Sequence, residues 1–296
     1  MGLDGSLPAG TELVPGRSVV RSLGGGHRFE VFLVWDDGLY ALGVAKVLRP
    51  HLVKKERALD DLREEAEMLA RLVHPVIVRG FDAVLDGPRP HLLLEHLEGP
   101  TLRRLIRRGG PIPLEQLLPL AAHVGAAVRY MASRGVVHLD VKPDNIVMGI
   151  PPRLIDLSIA RSLERAARVR RPLGTDAYMP PEQCDPAAHA GEIGHASDVW
   201  GLGATLHHAL SGAVPFPRPK GASDSADPLT RFPQLAEEPR PLPGRVPPRL
   251  RELVERCLAK RPGDRISAGE LVDELEPLVA EQPRKLVFGR RGARAR

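Results

Sequence analysis

Between Val136 and Ser158 the chain concentrates groups that can do chemistry. His138-Leu139-Asp140-Val141-Lys142-Pro143-Asp144-Asn145 carries a carboxylate, an ammonium two residues on and a carboxamide five residues on. Leu154-Ile155-Asp156-Leu157-Ser158 then adds a second carboxylate. Such a set can accept a proton, neutralise an anion and offer oxygens to a hard cation. Alone, an aspartate and an asparagine five apart are ordinary surface-loop residues. A lysine is more telling in this chain than in most, because only seven of its 42 basic residues are lysines. One of the seven, Lys46, lies inside the apolar run Gly43-Val44-Ala45-Lys46-Val47.

In this order the segments resemble the eukaryotic-like serine/threonine protein kinases of bacteria, from about Leu23 to about Leu278. The resemblance implies an α+β fold of two lobes and transfer of the γ-phosphate of MgATP to a protein Ser or Thr hydroxyl, with manganese as the alternative ion. Phosphoryl transfer has a loose transition state, so the protein must mainly hold the phosphates, neutralise their charge and orient the hydroxyl. By resemblance, Asp140 accepts the hydroxyl proton and Lys142 contacts the transferring phosphate. Asn145 and Asp156 hold the metal, and Lys46 binds the α and β phosphates beside a helix glutamate. Glu64 and Glu65 compete for that last place. At ~100° per residue Glu65 lies about 60° from the apolar Leu62 and Glu64 about 160° away, so Glu65 is expected to face inward.

Leu23-Gly24-Gly25-Gly26-His27-Arg28-Phe29-Glu30-Val31 matches the first two glycines of the family's phosphate loop at Gly24 and Gly26, with Phe29 in the third place. Glycine suits such a loop because backbone amides must approach phosphate closely. The resemblance lines an adenine slot with Val31, Val44 and Val147, puts Leu94 at its back and offers the backbone of Glu95 to Leu97 as hinge. It pairs Glu182, in Met179-Pro180-Pro181-Glu182, with Arg265, and makes Asp198 the brace of the loop that carries Asp140. These landmarks favour a protein substrate over a small molecule.

Three departures stand out. Leu139 occupies the place of the family's arginine that receives an activation-segment phosphate. Between Ile159 and Leu173 the one hydroxyl residue is Ser162. Donor and receptor are both depleted, which predicts activity without phosphorylation of that segment. The same stretch carries Arg161, Arg165, Arg168, Arg170 and Arg171, read either as a solvated basic loop or as a dock for an acidic or phosphorylated substrate. Ser158 replaces a glycine after Asp156, and a left-handed serine would cost about 1–2 kcal/mol. With Phe29, that change leaves a nucleotide-binding pseudokinase scaffold as the alternative.

The elements that must position these groups follow from periodicity. VVRSLGGG, EVFLVW and LYALGVAKVL read as strands, the last two joined at Asp37-Gly38, where both turn positions tolerate positive φ. ALDDLREEAEMLARLV is helical, with Leu62, Ala66, Leu69 and Leu72 on one face. Two further strands, near IVRGFDAV and HLLLEHL, are followed by helices at TLRRLIRR and LEQLLPLAAHVGAAVRYMASRG, the latter stopped at Gly135. Residues 213–250 read as a long loop before helices at RELVERCLAK and AGELVDELEPLVA. Strands with one helix followed by helices imply two lobes, at about 17–97 and 98–281. Residues 1–16 are expected to be a loose arm and 282–296 a basic tail.

The 296 residues, 43% hydrophobic and 27% charged, suffice for one such domain with a core. The formal charge of +5 resides in the tail, whose six basic and no acidic residues leave −1 for the rest. With 4% aromatics, little is available for base stacking and no specific nucleic acid is expected. Two distant cysteines exclude a disulfide scaffold. No apolar run is long enough for a membrane span, and no leader precedes Leu23, so a cytoplasmic protein is expected.

Overall fold

The computed structural model describes residues 7–189, 191–218 and 227–282. The first lobe is a six-stranded antiparallel sheet of β1 (Glu12–Val14), β2 (Arg17–Gly25), β3 (Phe29–Asp36), β4 (Ala41–Leu48), β5 (Gly80–Val84) and β6 (His91–Glu95). Its spatial order is β1-β2-β3-β4-β6-β5, and helix α1 (Glu56–Arg71) packs against β5 and β6. Alternation along β4 sends Ala45 and Val47 into a core with Phe32, Val34 and Leu93. Val44 and Lys46 therefore face the opposite side, toward the second lobe.

The stretch read as a loose arm is partly structured. β1 pairs with β2 and buries Leu13, because an apolar residue there completes the sheet's inner face. Residues 1–6 and 283–296, the latter nearly all of the basic tail, lie outside the described residues. The Asp37-Gly38 turn also differs from expectation. The β3–β4 loop runs over four residues from Asp36 to Ala41, the Leu39 amide donates to Asp36 Oδ1 at 3.0 Å, and the positive φ (49°) falls on Tyr40.

The second lobe is helical, as the periodicity requires. Helix α2 (Leu102–Gly109) is capped by the Thr101 hydroxyl, and α3 (Leu114–Ser133) ends before Gly135 at φ 66°. Short strands β7 (Val136–Val137), β8 (Ile146–Val147), β9 (Arg153–Leu154) and β10 (Arg161–Ser162) follow, then short α4 (Leu163–Ala166) and α5 (Pro181–Cys184). Helix α6 (His195–Ser211) is buried nearly all round, as a central core helix must be, with Trp200 stacked on Phe216. Within the proline-rich stretch, short α7 (Pro228–Arg231) and a 3-10 turn at Pro233–Leu235 are formed. Helices α8 (Pro248–Cys257) and α9 (Ala268–Ala280) close the lobe, α9 opening on a Ser267–Glu270 capping box. Among the described residues, no helix is long and apolar enough to cross a membrane.

Candidate active site

Two hairpin-like pairings bring the reactive segments together. Strand β8 pairs with β9, Ile146 opposite Leu154, and the Ile155 amide donates to the Asn145 carbonyl at 2.9 Å. Asn145 and Asp156, eleven residues apart, are thereby neighbours at the open end of the pair. Strand β7 pairs with β10, Val137 opposite Arg161, so the Asp140 loop and the segment after Asp156 leave from the same small sheet.

The loop between β7 and β8 is sharply bent. Leu139 has φ 67°, costly for a leucine. The bend is held by Asp198, whose carboxylate accepts from the His138 amide at 2.7 Å and the Leu139 amide at 2.8 Å. The Gln183 side chain donates to the Leu139 carbonyl at 2.9 Å. Asp198 is buried, which pushes its carboxyl up from the ordinary value despite His138 and the two amides. It is a brace for the backbone, as expected.

Asp140 is set at the centre of a polar cluster. Its Oδ2 accepts from Lys142 Nζ at 2.6 Å and Asn145 Nδ2 at 3.0 Å, and its Oδ1 from the Thr175 hydroxyl at 2.8 Å. Lys142 also donates to Thr175 Oγ1 at 2.6 Å. Thr175, 35 residues beyond Asp140 and without a local signal of this role, completes the cluster. Because the Asn145 amide nitrogen is engaged, its carbonyl oxygen is the atom left for a cation.

Across the cleft, Lys46 Nζ donates to both Glu65 oxygens at 2.8 and 2.9 Å and to Asp156 Oδ1 at 2.7 Å. The helical angle had selected Glu65 over Glu64, and Glu65 is the buried one, 2% exposed. Burial works against the Lys46 ammonium, but the two carboxylates outweigh it and raise its pKa. For Asp156, burial opposes the charge and the ammonium overrides it, holding the carboxyl well below its usual range. The Phe29 ring lies 4.7 Å from Lys46 Nζ and belongs to the core. The residue in the third glycine's place thus shields the ammonium from water. Asp156 takes the left-handed conformation (φ 67°), whereas Ser158 does not. The cost anticipated at Ser158 therefore does not arise, because an aspartate, which tolerates that region better, bears it.

A cavity of about 840 Å³ lies between the lobes. Val31, Val44, Leu94, Val147, Glu95 and Leu97 line it together with Lys46, Asn145 and Asp156. Ile155 and Val78 also contribute walls; Ile155 could have been suspected from its place beside Asp156. Gly24 and Gly26 do not line it. Gly24 turns the β2–β3 tip at φ 106°, and it is Gly25 that sterics demand, since a Cβ there would meet the Phe29 carbonyl oxygen at 2.5 Å.

The remaining landmarks pair as expected. Arg265 forks onto Glu182 at 2.6 and 2.8 Å, both side chains fully buried, and Ser197 donates to Glu182 at 2.8 Å. The five arginines after Asp156 are not a uniformly solvated loop. Arg165 pairs with Glu64 of α1 at 2.6 Å, Arg161 lies 3.8 and 3.9 Å from Asp61 and Glu64, and Arg168 pairs with Glu164. Arg170 donates to the Ala167 and Val169 carbonyls.

Comparison with known proteins agrees with this geometry. A model of the protein kinase domain family matches residues 17–275. Serine/threonine-protein kinase PknB of Mycobacterium leprae is 31% identical over 274 residues, 88% of this chain and 42% of that protein. Serine/threonine-protein kinase PkaA of Streptomyces coelicolor is 33% identical over 243 residues, 80% of this chain and 42% of that protein. The probable serine/threonine-protein kinase PkwA of Thermomonospora curvata is 31% identical over 88% of this chain and 34% of its own length. The chain thus spans less than half the length of these relatives. On its two-lobed fold, its cleft and this match, the chain belongs to the protein kinase domain family.

Proposed function

We propose that the chain transfers the γ-phosphate of ATP to Ser or Thr hydroxyls of a protein substrate, without needing phosphorylation of its own activation segment. The observation that carries the reading is that the Asp140–Lys142–Thr175–Asn145 cluster reaches the interlobe cavity through Asn145, while the Lys46–Glu65–Asp156 contacts reach it through Lys46 and Asp156. Val31, Val44, Leu94, Val147 and Ile155 suit an adenine ring, and the Glu95–Leu97 backbone offers it donors and acceptors. Lys46, held charged by Glu65, is placed to bind the inner phosphates. Asn145 and Asp156 supply hard oxygens of the kind magnesium takes alongside phosphate. When bound, that ion neutralises phosphate charge and favours in-line transfer. Asp140 orients the acceptor hydroxyl and takes its proton, while Lys142, bridged to Thr175, steadies the transferred group.

Independence from activation-segment phosphorylation rests on Leu139. In place of a phosphate receptor it is 4% exposed, in an apolar cluster with Val137, Ala166 and Ile193, against which Ile159, Val169 and Leu173 pack. Apolar burial thus anchors the segment on both sides of α4 without a charged modification. An acidic acceptor region would meet Arg170 and Arg171, which have no carboxylate partner among the described residues.

The test is transfer of labelled γ-phosphate to a generic protein acceptor by phosphatase-treated protein, beside Asp140→Asn. Robust transfer, with a loss of at least about 100-fold in kcat in the variant and nucleotide binding retained, is expected. Nucleotide binding without transfer would mean a scaffold, and transfer surviving Asp140→Asn would sink the assignment.

A further inference from the structure

Helix α1 carries two carboxylates that the catalytic reading does not use. Asp61 and Glu64 are three residues apart and share a face, while Glu65, one residue on, is rotated inward to Lys46. Toward that outer face come three guanidinium groups from outside the helix. Arg28, from the β2–β3 tip, pairs with Asp61 at 2.5 Å. Arg161, on β10, stands between Asp61 and Glu64 at 3.8 and 3.9 Å, its side chain 14% exposed. Arg165, on α4, meets Glu64 at 2.6 Å. Arg161 is itself fixed, donating to the Ala160 carbonyl at 2.9 Å, and the Ser162 hydroxyl caps the turn by accepting from the Arg165 amide. Charges therefore alternate along the helix as Arg28, Asp61, Arg161, Glu64, Arg165.

We infer that Glu64, clamped by Arg161 and Arg165, is a positioning residue that holds α1 in the orientation presenting Glu65 to Lys46. This rests on the kinase reading above and names the device that keeps its phosphate-binding lysine in place. The physical argument is one of leverage. Lys46 has a second partner in Asp156, so rotation of α1 would leave the ammonium paired with Asp156 alone, without the buried carboxylate that fixes it on the first-lobe side. Neighbouring glutamates on one helix are pinned from opposite sides, which opposes that rotation. The segment following Asp156 supplies both arginines, so its folded state is communicated to the helix by fixed charges. Were Arg161 and Arg165 to dock substrate instead, their loss would raise the acceptor KM at constant kcat, the opposite of what positioning predicts.

Glu64→Gln keeps helix propensity and size while removing the charge. In the wild-type background it is expected to lower kcat about fivefold, the scale of a partly exposed ion-pair network, with KM for the protein acceptor unchanged and Tm within a few degrees. In a Glu65→Gln background the same substitution is expected to have no further effect on residual kcat, because the link through which it acts is gone. Arg165→Gln should reproduce the pattern and Arg165→Lys should restore most of the rate. Amide hydrogen exchange across α1 should accelerate in Glu64→Gln, a readout that needs no catalysis and decides the inference even if transfer activity is absent. Equal losses in both backgrounds, a raised acceptor KM at constant kcat, or unaltered exchange would each overturn it.

Discussion

Glu64 and Glu65 show how much one residue of helical rotation decides. One is buried against an ammonium in the cleft and the other is bound by guanidinium groups on the outside. Burial raises the Glu65 carboxyl, opposed by Lys46, so the pair is stable only while both members remain. Another residue-scale consequence concerns His208, on α6. It is buried beside Tyr178, whose hydroxyl meets Nδ1 at 2.7 Å, and Arg103 lies 3.3 Å away. Burial, then Arg103 and His207, lower its pKa to about 4 from 6.5. The unfolded chain therefore takes the proton first as pH falls, and stability is lost between about pH 6.5 and 4. His208→Gln is expected to flatten this loss by about 1–2 kcal/mol, read as ΔG of unfolding in denaturant titrations at pH 7 and pH 4.5. A slope unchanged by the substitution would contradict the assignment.

At the scale of elements, the β2–β3 tip matches the family's glycine pattern only in part, and steric demand redistributes the importance of its glycines. Gly25→Ala would thrust a Cβ against the Phe29 carbonyl oxygen, whereas Gly26 has open space where a Cβ would stand and no positive φ. Gly25→Ala is expected to raise KM for ATP by about tenfold or more, a distortion of roughly 1–3 kcal/mol. Gly26→Ala should stay within about twofold. Steady-state kinetics on the two variants checks the order, and equal effects would mean that the tip rearranges. The first lobe also holds a buried polar knot that composition did not reveal. Arg17 on β2 donates to Asp36 of β3 at 2.7 Å and to Asp82 of β5 at 2.9 Å, and it touches His91 of β6 at 2.7 Å. Arginine can serve four strands at once because its planar fork holds several donors in fixed directions.

Over the whole molecule, the Glu182–Arg265 pair ties segments that are 83 residues apart. Glu182 also accepts from Ser197 at the start of α6, and Arg265 donates to the carbonyls of Ala259, Lys260 and Ala196. The end of the activation segment, the central helix and the entry to α9 thus meet at one buried ion pair. Arg265→Met would leave Glu182 charged and unpaired in the core. Its expected cost is about 3–5 kcal/mol, the range for breaking a buried pair from one side, measured by chemical denaturation. A cost under about 1 kcal/mol would show that water reaches the site. The Lys46–Glu65 pair carries the corresponding risk for activity, because it joins α1 to β4 within the first lobe.

Much of this was legible before any coordinates. Resemblance to a family's ordered motifs singled out Asp140, Lys142, Asn145, Asp156 and Lys46, since chemistry that needs a proton acceptor, a cation and oxygen donors tolerates few other residue types at those places. Helical period then separated Glu65 from Glu64, because a buried face repeats every 3.6 residues. Long-range partners were less accessible, since nothing local records which arginine meets which carboxylate. Only the tertiary structure placed Arg161 and Arg165 on Glu64, set Thr175 against Asp140 and buried Leu139 under the activation segment. Backbone strain moved as well, from Ser158 to Asp156 and from Gly38 to Tyr40, since positive φ is assigned by how a chain must close. Sequence determined the reacting groups through their chemistry. Folding decided their restraints, because ion pairing and apolar burial depend on distances between segments far apart in the chain.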